Sequence, residues 1–191
     1  QMFRRGLRLQ PDYPDCDYDL AGALAVLGQY AEAVPHYRRA AQGMSGVDAR
    51  AKVLFDLGNT LAILQEWPLA GEAFTQATQL KPNYVSAYYN LGSILRLHGD
   101  LNQAMAAFQS ALQYAPVYPE AEFYLAETAV SAGQMEYALP HFAKAIEENP
   151  RGAEAYFQLG NALAVLDRFS EAATQYAKAE ALQPGNVDAH F

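Results

Sequence analysis

A 34-residue periodicity is the feature that most constrains the fold of this chain. Leucine followed by glycine or alanine recurs at steps of 34 residues, at Leu57-Gly58, Leu91-Gly92, Leu125-Ala126 and Leu159-Gly160. An earlier pair, Leu20-Ala21, lies 37 residues before Leu57. The spacing predicts five units, 14–47, 51–84, 85–118, 119–152 and 153–186. Residues 48–50 then form a three-residue insertion after the first unit.

Other residue types repeat in phase with these pairs. In the third unit Ala104, Phe108 and Ala111 follow Gly92, and an alanine, an aromatic residue and an alanine take the same places in all five units. Proline follows in four units, at Pro82, Pro116, Pro150 and Pro184. Apolar residues at helical spacing on both sides of a central break predict two α-helices in each unit.

The central break is a glycine in three units, at Gly28, Gly99 and Gly133. Glycine readily adopts the left-handed backbone conformation that ends a helix. Gln65 and Asp167 stand in that region of the second and fifth units. We therefore expect these two turns to be slightly strained.

The period and its small, aromatic and proline columns resemble the tetratricopeptide repeat, a helix–turn–helix unit of 34 residues. The resemblance implies an all-α fold, a right-handed α-solenoid in which five repeats stack into one core. The phase continues at both ends, since 1–13 fits the second helix of a preceding repeat and 187–191 the start of another. We therefore expect the chain to come from a longer array, with apolar surface exposed at its ends around Phe3, Leu163, Tyr176 and Phe191.

Composition disfavours several classes of partner. The formal net charge of −8 repels nucleic acid and anionic membranes. The single cysteine, Cys16, rules out an intrachain disulfide and a zinc site built on several thiolates. The sequence shows neither a signal peptide nor an apolar run approaching the roughly 18 residues of a membrane span. These features favour a cytoplasmic location.

No catalytic pattern occurs in the sequence. Walker, dinucleotide-binding, HExxH and GxSxG motifs are all missing, so we predict no catalytic, cofactor-binding or metal-binding residues and a non-catalytic protein. We interpret the four histidines, His36, His98, His141 and His190, as solvated surface residues. Acids such as Glu120 and Glu122 are interpreted as part of a solvated acidic face.

The resemblance also implies a candidate binding surface, because the first helix of each repeat lines a concave groove in that family. One place on this helix holds an aromatic residue in every unit, at Tyr18, Phe55, Tyr89, Phe123 and Phe157. Polar, charged and tyrosine side chains occupy nearby places, at Asp19, Lys52, Asp56, Asn59, Asn90, Arg96, Tyr124, Glu127, Gln158 and Asn161. We interpret the aromatic column as a binding surface, with packing against neighbouring helices as the alternative.

Acids outnumber bases six to two in the predicted lining, which adds Asp15, Glu120 and Glu154 to the acids already named. A protein or peptide partner should therefore be apolar or basic. Co-chaperones of this family grip acidic chaperone tails with a basic clamp, and Lys52 and Asn90 match two of its places. Glu120 and Tyr124 stand where the clamp's last basic pair would be, which disfavours such a tail. The asparagine ladder of O-linked N-acetylglucosaminyltransferases is matched only at Asn90.

Three functions remain open at this point. The first is a scaffold that binds a peptide or helical segment of a partner protein in its groove. The second is the substrate-recruiting arm of a larger enzyme, such as a glycosyltransferase, whose catalytic domain lies outside this chain. The third is a module that associates end to end with its own copies through its uncapped ends.

Overall fold

The computed structural model describes residues 13–184. This part of the chain is entirely helical, and its ten helices are α1 (Pro14–Val26), α2 (Tyr30–Gly43), α3 (Val47–Ile63), α4 (Trp67–Leu80), α5 (Val85–His98), α6 (Leu101–Tyr114), α7 (Pro119–Ser131), α8 (Met135–Glu148), α9 (Ala153–Val165) and α10 (Phe169–Leu182). The predicted all-α fold of helix–turn–helix repeats is confirmed. The chain divides into two compact units, a first unit up to Ile94 and a second unit from Leu95 onward, which are larger than the 34-residue repeats.

Short turns join the two helices of each pair. Gly28, Gly99 and Gly133 adopt positive φ angles of 75°, 83° and 75°. Gln65 and Asp167 adopt the same backbone conformation, with φ angles of 61° and 57°. The predicted strain is confirmed, since a side chain in this conformation costs roughly 1–2 kcal/mol.

In the first unit, the small residues of the 34-residue pattern make room for an aromatic ring. Gly58 on α3 faces Phe74 on α4, and a methyl group at Gly58 would lie 2.6 Å from the Phe74 Cε1 atom. Ala21 and Tyr37 stand at the same repeat places, and both are buried. The close helix approach therefore depends on the size of the residue opposite the ring.

In the second compact unit, from Leu95 onward, aromatic rings of the second helices are buried against small residues in the same way. Phe108 and Phe142 are completely buried. On α9, a methyl group at Gly160 would lie 2.6 Å from the ring of Tyr176. The aromatic residues of the second helices are thus core residues here as well.

The three-residue insertion is helical. Residues 48–50 lie within α3, which begins at Val47 and is 17 residues long. Arg50 donates its backbone N–H to the carbonyl of Gly46 at 2.8 Å, and Lys81 forms an ion pair with Asp48 at 3.3 Å. The insertion therefore lengthens a first helix by about one turn.

The structure corrects one expectation about the chain ends. Leu163 and Tyr176, expected to be exposed, are buried at 4% and 7% exposure. Tyr176 packs on Phe157 within its own hairpin, so neither residue supplies an apolar end surface. Phe3, Phe191 and the partial repeat expected at 187–191 lie outside the described residues, as does all of 1–13 except Tyr13.

Candidate functional site

The structure joins three of the predicted groove residues in the first unit. The Tyr18 hydroxyl donates to Asp56 Oδ2 at 2.7 Å, and Lys52 Nζ donates both to the Tyr18 oxygen and to Asp56 Oδ2. The hydrogen bond to Tyr18 and the charge of Asp56 raise the pKa of Lys52 well above its usual value. Burial, more than the neighbouring charges, raises the pKa of Tyr18. The charges of Lys52 and Asp56 therefore largely cancel.

Two predicted amide residues also meet in the first unit. Asn90 Nδ2 on α5 donates to Asn59 Oδ1 on α3 at 2.8 Å. Tyr89 lies beside Asn90 and is half-buried, whereas Asp19 is exposed. The amide pair leaves one N–H of Asn90 and the whole amino group of Asn59 for further hydrogen bonds within this face.

In the second unit, Arg96 lies against two of the predicted residues. Its guanidinium forms an ion pair with Glu127 at 3.2 Å and stands over the Tyr124 ring, 5.0 Å from the centroid. Burial raises the pKa of the Glu127 carboxyl, against the opposing effect of Arg96, and the charge of Glu154 adds to the rise. The second predicted base is thus also paired with an acid.

A chain of hydrogen bonds runs from α10 along α9. Tyr176 donates its hydroxyl to Asn161 Oδ1 at 2.9 Å, and Asn161 Nδ2 reaches Gln158 Oε1 at 3.3 Å. Gln158 Nε2 then donates to Glu154 Oε1 at 2.7 Å. These hydrogen bonds fix the orientation of the four side chains, so binding of a partner segment would cost less side-chain entropy.

The aromatic column packs against the core. Ring centroids lie 5.8–6.0 Å apart in four pairs, Tyr18–Tyr37, Phe55–Phe74, Phe123–Phe142 and Phe157–Tyr176. In each of these pairs the residue of the aromatic column, Tyr18, Phe55, Phe123 or Phe157, is half-buried. Packing therefore accounts for one side of each ring, and the part of the ring that remains exposed is what a partner could contact.

Glu120 and His98 are exposed, as interpreted from the sequence, and His190 lies outside the described residues. The interpretation is wrong for Glu122, His36 and His141, which take part in contacts of two buried carboxylates. Asp17 and Glu122 have side-chain exposures of 3% and 2%. His36 Nδ1 lies 2.6 Å from Asp17 Oδ1, and Arg39 Nη2 donates to the same oxygen at 2.7 Å. Burial tends to raise the pKa of Asp17, but the hydrogen bonds and charges of Arg39 and His36 outweigh it and hold the value below normal.

The second carboxylate repeats this arrangement in another unit. His141 Nδ1 lies 2.6 Å from Glu122 Oε2, and Lys144 Nζ donates to Glu122 Oε1. Residue spacings are identical in the two sets, with the histidine 19 residues after the acid and the base three residues later. Sequence reasoning missed both sets, although this shared spacing was a visible signal. Each set links a first helix to the second helix of the same repeat and includes none of the predicted groove residues.

The described residues contain neither a candidate metal site nor a candidate membrane-spanning helix. Nowhere in 13–184 do three or more histidine, cysteine, aspartate or glutamate side chains come together as a metal site. None of the described helices combines the length and the apolar composition that a membrane span requires.

The fold and the repeat pattern define a class of helical-repeat protein. The chain belongs to the tetratricopeptide repeat family, whose model matches residues 1–47, 55–119, 98–147 and 123–187. No curated protein sequence matches the chain.

Solved structures share the fold at low sequence identity. YrrB, described as a tetratricopeptide repeat protein with an unusual peptide-binding site, is 22% identical with a TM-score of 0.86, covering 99% of this chain and 96% of YrrB. MamA is 23% identical with a TM-score of 0.81, covering 88% of this chain and 96% of MamA. The pilF protein of Pseudomonas aeruginosa is 20% identical with a TM-score of 0.75, covering 98% and 84%. At these identities the similarity establishes the fold.

Proposed function

We propose that this protein is a non-catalytic scaffold that binds a segment of a partner protein along the first helices of its repeats. The observation that carries the proposal is the pre-ordered polar surface beside half-buried aromatic rings. Hydrogen bonds hold these polar side chains in place before any partner binds, in the series Tyr176–Asn161–Gln158–Glu154 and in the pair Asn59–Asn90. Ordered amides and partly exposed rings suit a peptide, which brings backbone hydrogen-bonding groups and apolar side chains.

Charge supports a basic or apolar partner. Lys52 and Arg96 are each paired with an acid, so the two predicted bases contribute little free positive charge. Asp19, Glu120 and Glu154 remain exposed on the first helices. A basic segment would approach such a surface faster at low salt than at high salt. The peptide-binding site described for YrrB, which shares the fold, is consistent with this use.

A pull-down from source-cell lysate tests the proposal. Because the aromatic rings pack against the core, replacing them would confuse binding with stability. The groove variant therefore reverses two exposed acids of the first helices, Glu120→Lys and Glu154→Lys. A matched control, Glu136→Lys and Glu180→Lys, makes the same change of charge, from −8 to −4, on the second helices.

The expected result is that proteins retained by the wild type are lost by the groove variant and kept by the control variant. Circular dichroism would first show that both variants are folded. Equal losses in the two variants would indicate nonspecific binding through net charge. Equal retention in both would place recognition elsewhere on the protein and contradict the proposal.

A further inference from the structure

The second unit contains a cleft of about 270 Å³ beside α7 and α9. Its lining includes two acids, two aromatic residues, an asparagine and a glycine: Glu120, Glu154, Phe123, Tyr124, Asn149 and Gly152. Pockets for drug-sized ligands measure about 300–1,000 Å³, so this cleft is suited to a single side chain. Its position beside Phe123 and Tyr124 makes it part of the predicted groove.

The sequence explains why the cleft is open. The last place of the repeat holds Tyr84 in the second repeat and Tyr118 in the third, but Gly152 in the fourth. In the first unit the Tyr84 ring lies over Phe55, with centroids 4.9 Å apart. Gly152 has no side chain to place over Phe123, so the corresponding space stays empty. Its φ of −76° and ψ of 85° are open to other residues, so backbone conformation alone does not require glycine here.

The lining combines an aromatic floor with negative charge. Packing fixes Phe123, whose ring centroid lies 5.8 Å from that of Phe142 and 5.3 Å from that of Tyr124. Glu120 and Glu154 are exposed, and none of the described residues that line the cleft is basic. Glu154 Oε1 accepts a hydrogen bond from Gln158, which orients the carboxylate without neutralising it.

The same unit already shows how this surface accommodates a cation. The guanidinium of Arg96 stands 5.0 Å from the centroid of the Tyr124 ring while pairing with Glu127. Aromatic faces attract cations, and long basic side chains lay their methylene groups on apolar surface. Phe123 with Glu120 and Glu154 offers the same combination of an aromatic ring and carboxylates, and within 13–184 the residues lining the cleft supply no cation.

We propose that this cleft binds one lysine or arginine side chain of the partner segment, with its methylenes on Phe123 and its charge between Glu120 and Glu154. The exposed amide of Asn149 is then available to the backbone of the same segment. The inference rests on the proposed scaffold function, which it deepens by naming the chemical group recognised. Gly152 is the residue that determines this specificity, because a larger side chain there would occupy the cleft.

Titration of the ¹⁵N-labelled protein with short peptides tests the proposal. The probes are acetylated and amidated pentapeptides with alanine at every position except the centre, which is lysine, arginine, norleucine or glutamate. Lysine or arginine should shift the amide resonances of Gly152 and Glu120 and bind about tenfold more tightly than norleucine. A tenfold difference corresponds to about 1.4 kcal/mol, which two exposed ion pairs of ordinary strength supply.

Two substitutions of Gly152 distinguish filling of the cleft from the effect of any side chain at this position. Gly152→Tyr should abolish the response by filling the space, as Tyr84 does over Phe55. Gly152→Ala should weaken it much less than Gly152→Tyr, since the nearest neighbours of the added methyl group would be Asn149 Nδ2 and the Asn149 backbone oxygen, both at 3.3 Å. Glu120→Gln together with Glu154→Gln should reduce the lysine and arginine affinities to that of norleucine.

The results distinguish the cleft proposal from the scaffold proposal. Equal binding of norleucine and lysine, or unchanged binding to Gly152→Tyr, would overturn the basic-side-chain cleft. The scaffold proposal would survive if the lysate partners were still lost from the Glu120→Lys and Glu154→Lys variant but kept by Gly152→Tyr. A preference for lysine over arginine, or the reverse, would identify which cation the cleft takes.

Discussion

The buried Glu122 carboxylate gives the sharpest test of how these repeats are stabilised. A buried acid that loses its partners typically costs about 3–5 kcal/mol. His141 and Lys144 are both in contact with Glu122, but Lys144 is 44% exposed, so water would reach the carboxylate once the lysine were removed. We therefore expect His141→Ala with Lys144→Ala to lower the free energy of unfolding by about 2–3 kcal/mol.

Replacing the acid itself should cost far less. Leu54 occupies the same repeat place in the second repeat and is buried at 5% exposure, so the fold accepts leucine there. Glu122→Leu removes the charge along with the need for partners, and its expected cost is within about 1 kcal/mol. Adding His141→Ala and Lys144→Ala to Glu122→Leu should then have little further effect, which gives a coupling energy of about 2 kcal/mol.

Urea unfolding at pH 7, followed by far-UV circular dichroism, measures these differences. Because repeat proteins can unfold in parts, amide hydrogen exchange in α7 and α8 should show the same order of stabilities. Lys178→Ala is the matched control, since Lys178 has the repeat place of Lys144 but stands over the Tyr156 ring, 5.6 Å from its centroid. The reasoning is wrong if Glu122→Leu costs as much as the loss of both partners, or if Lys144→Ala is as mild as Lys178→Ala.

Three further predictions follow from the core, the buried aspartate and the turns. Gly58→Ala should lower the melting temperature, because overpacking against Phe74 costs about 1–3 kcal/mol and outweighs a gain of up to about 1 kcal/mol in helix propensity; an unchanged melting temperature would show that the ring yields freely. The folded-state pKa of Asp17 is lowered, so its contribution to stability is complete above the unfolded value of about 3.9 and is lost as pH falls through the folded value. Acid titration by circular dichroism should therefore show a smaller loss of stability below about pH 4 for Asp17→Asn than for the wild type. Gln65→Gly and Asp167→Gly should each raise the free energy of unfolding in urea by up to about 1 kcal/mol, since glycine adopts their positive φ without strain; a fall would mean that side-chain contacts outweigh the strain.

The repeat columns predicted the fold because each column corresponds to one packing requirement. The second helix of a repeat carries an aromatic residue that fills the core, such as Phe74, and the residue that faces it on the first helix must be small, such as Gly58. These requirements recur in every repeat and therefore appear as periodic letters. The left-handed turns at Gln65 and Asp167 were predictable for the same reason, since glycine occupies the equivalent turns of the other repeats.

The candidate site was less predictable because it depends on pairs of residues from different helices. Lys52 and Asp56 lie one helical turn apart, but the position of the Tyr18 hydroxyl between them depends on how two helices pack. Exposure was also misjudged where an acid faces the interior. Glu122 follows Glu120 by two residues and resembles a surface acid in sequence, yet the helix turns it towards His141.

Departures from the repeat pattern distinguish one repeat from another. Leu54 and Glu122 share one place, and Tyr84 and Gly152 share another, yet the second and fourth repeats that hold them have the same two helices, the same central turn and the same buried aromatic ring. A carboxylate in the first place requires partners on the second helix, so it constrains residues nearby without changing the fold. A glycine in the second place lacks the ring that Tyr84 packs on Phe55, and a cleft lies there instead. The repeated places therefore account for stability, and the unusual residue at position 152 is where we expect recognition to be encoded.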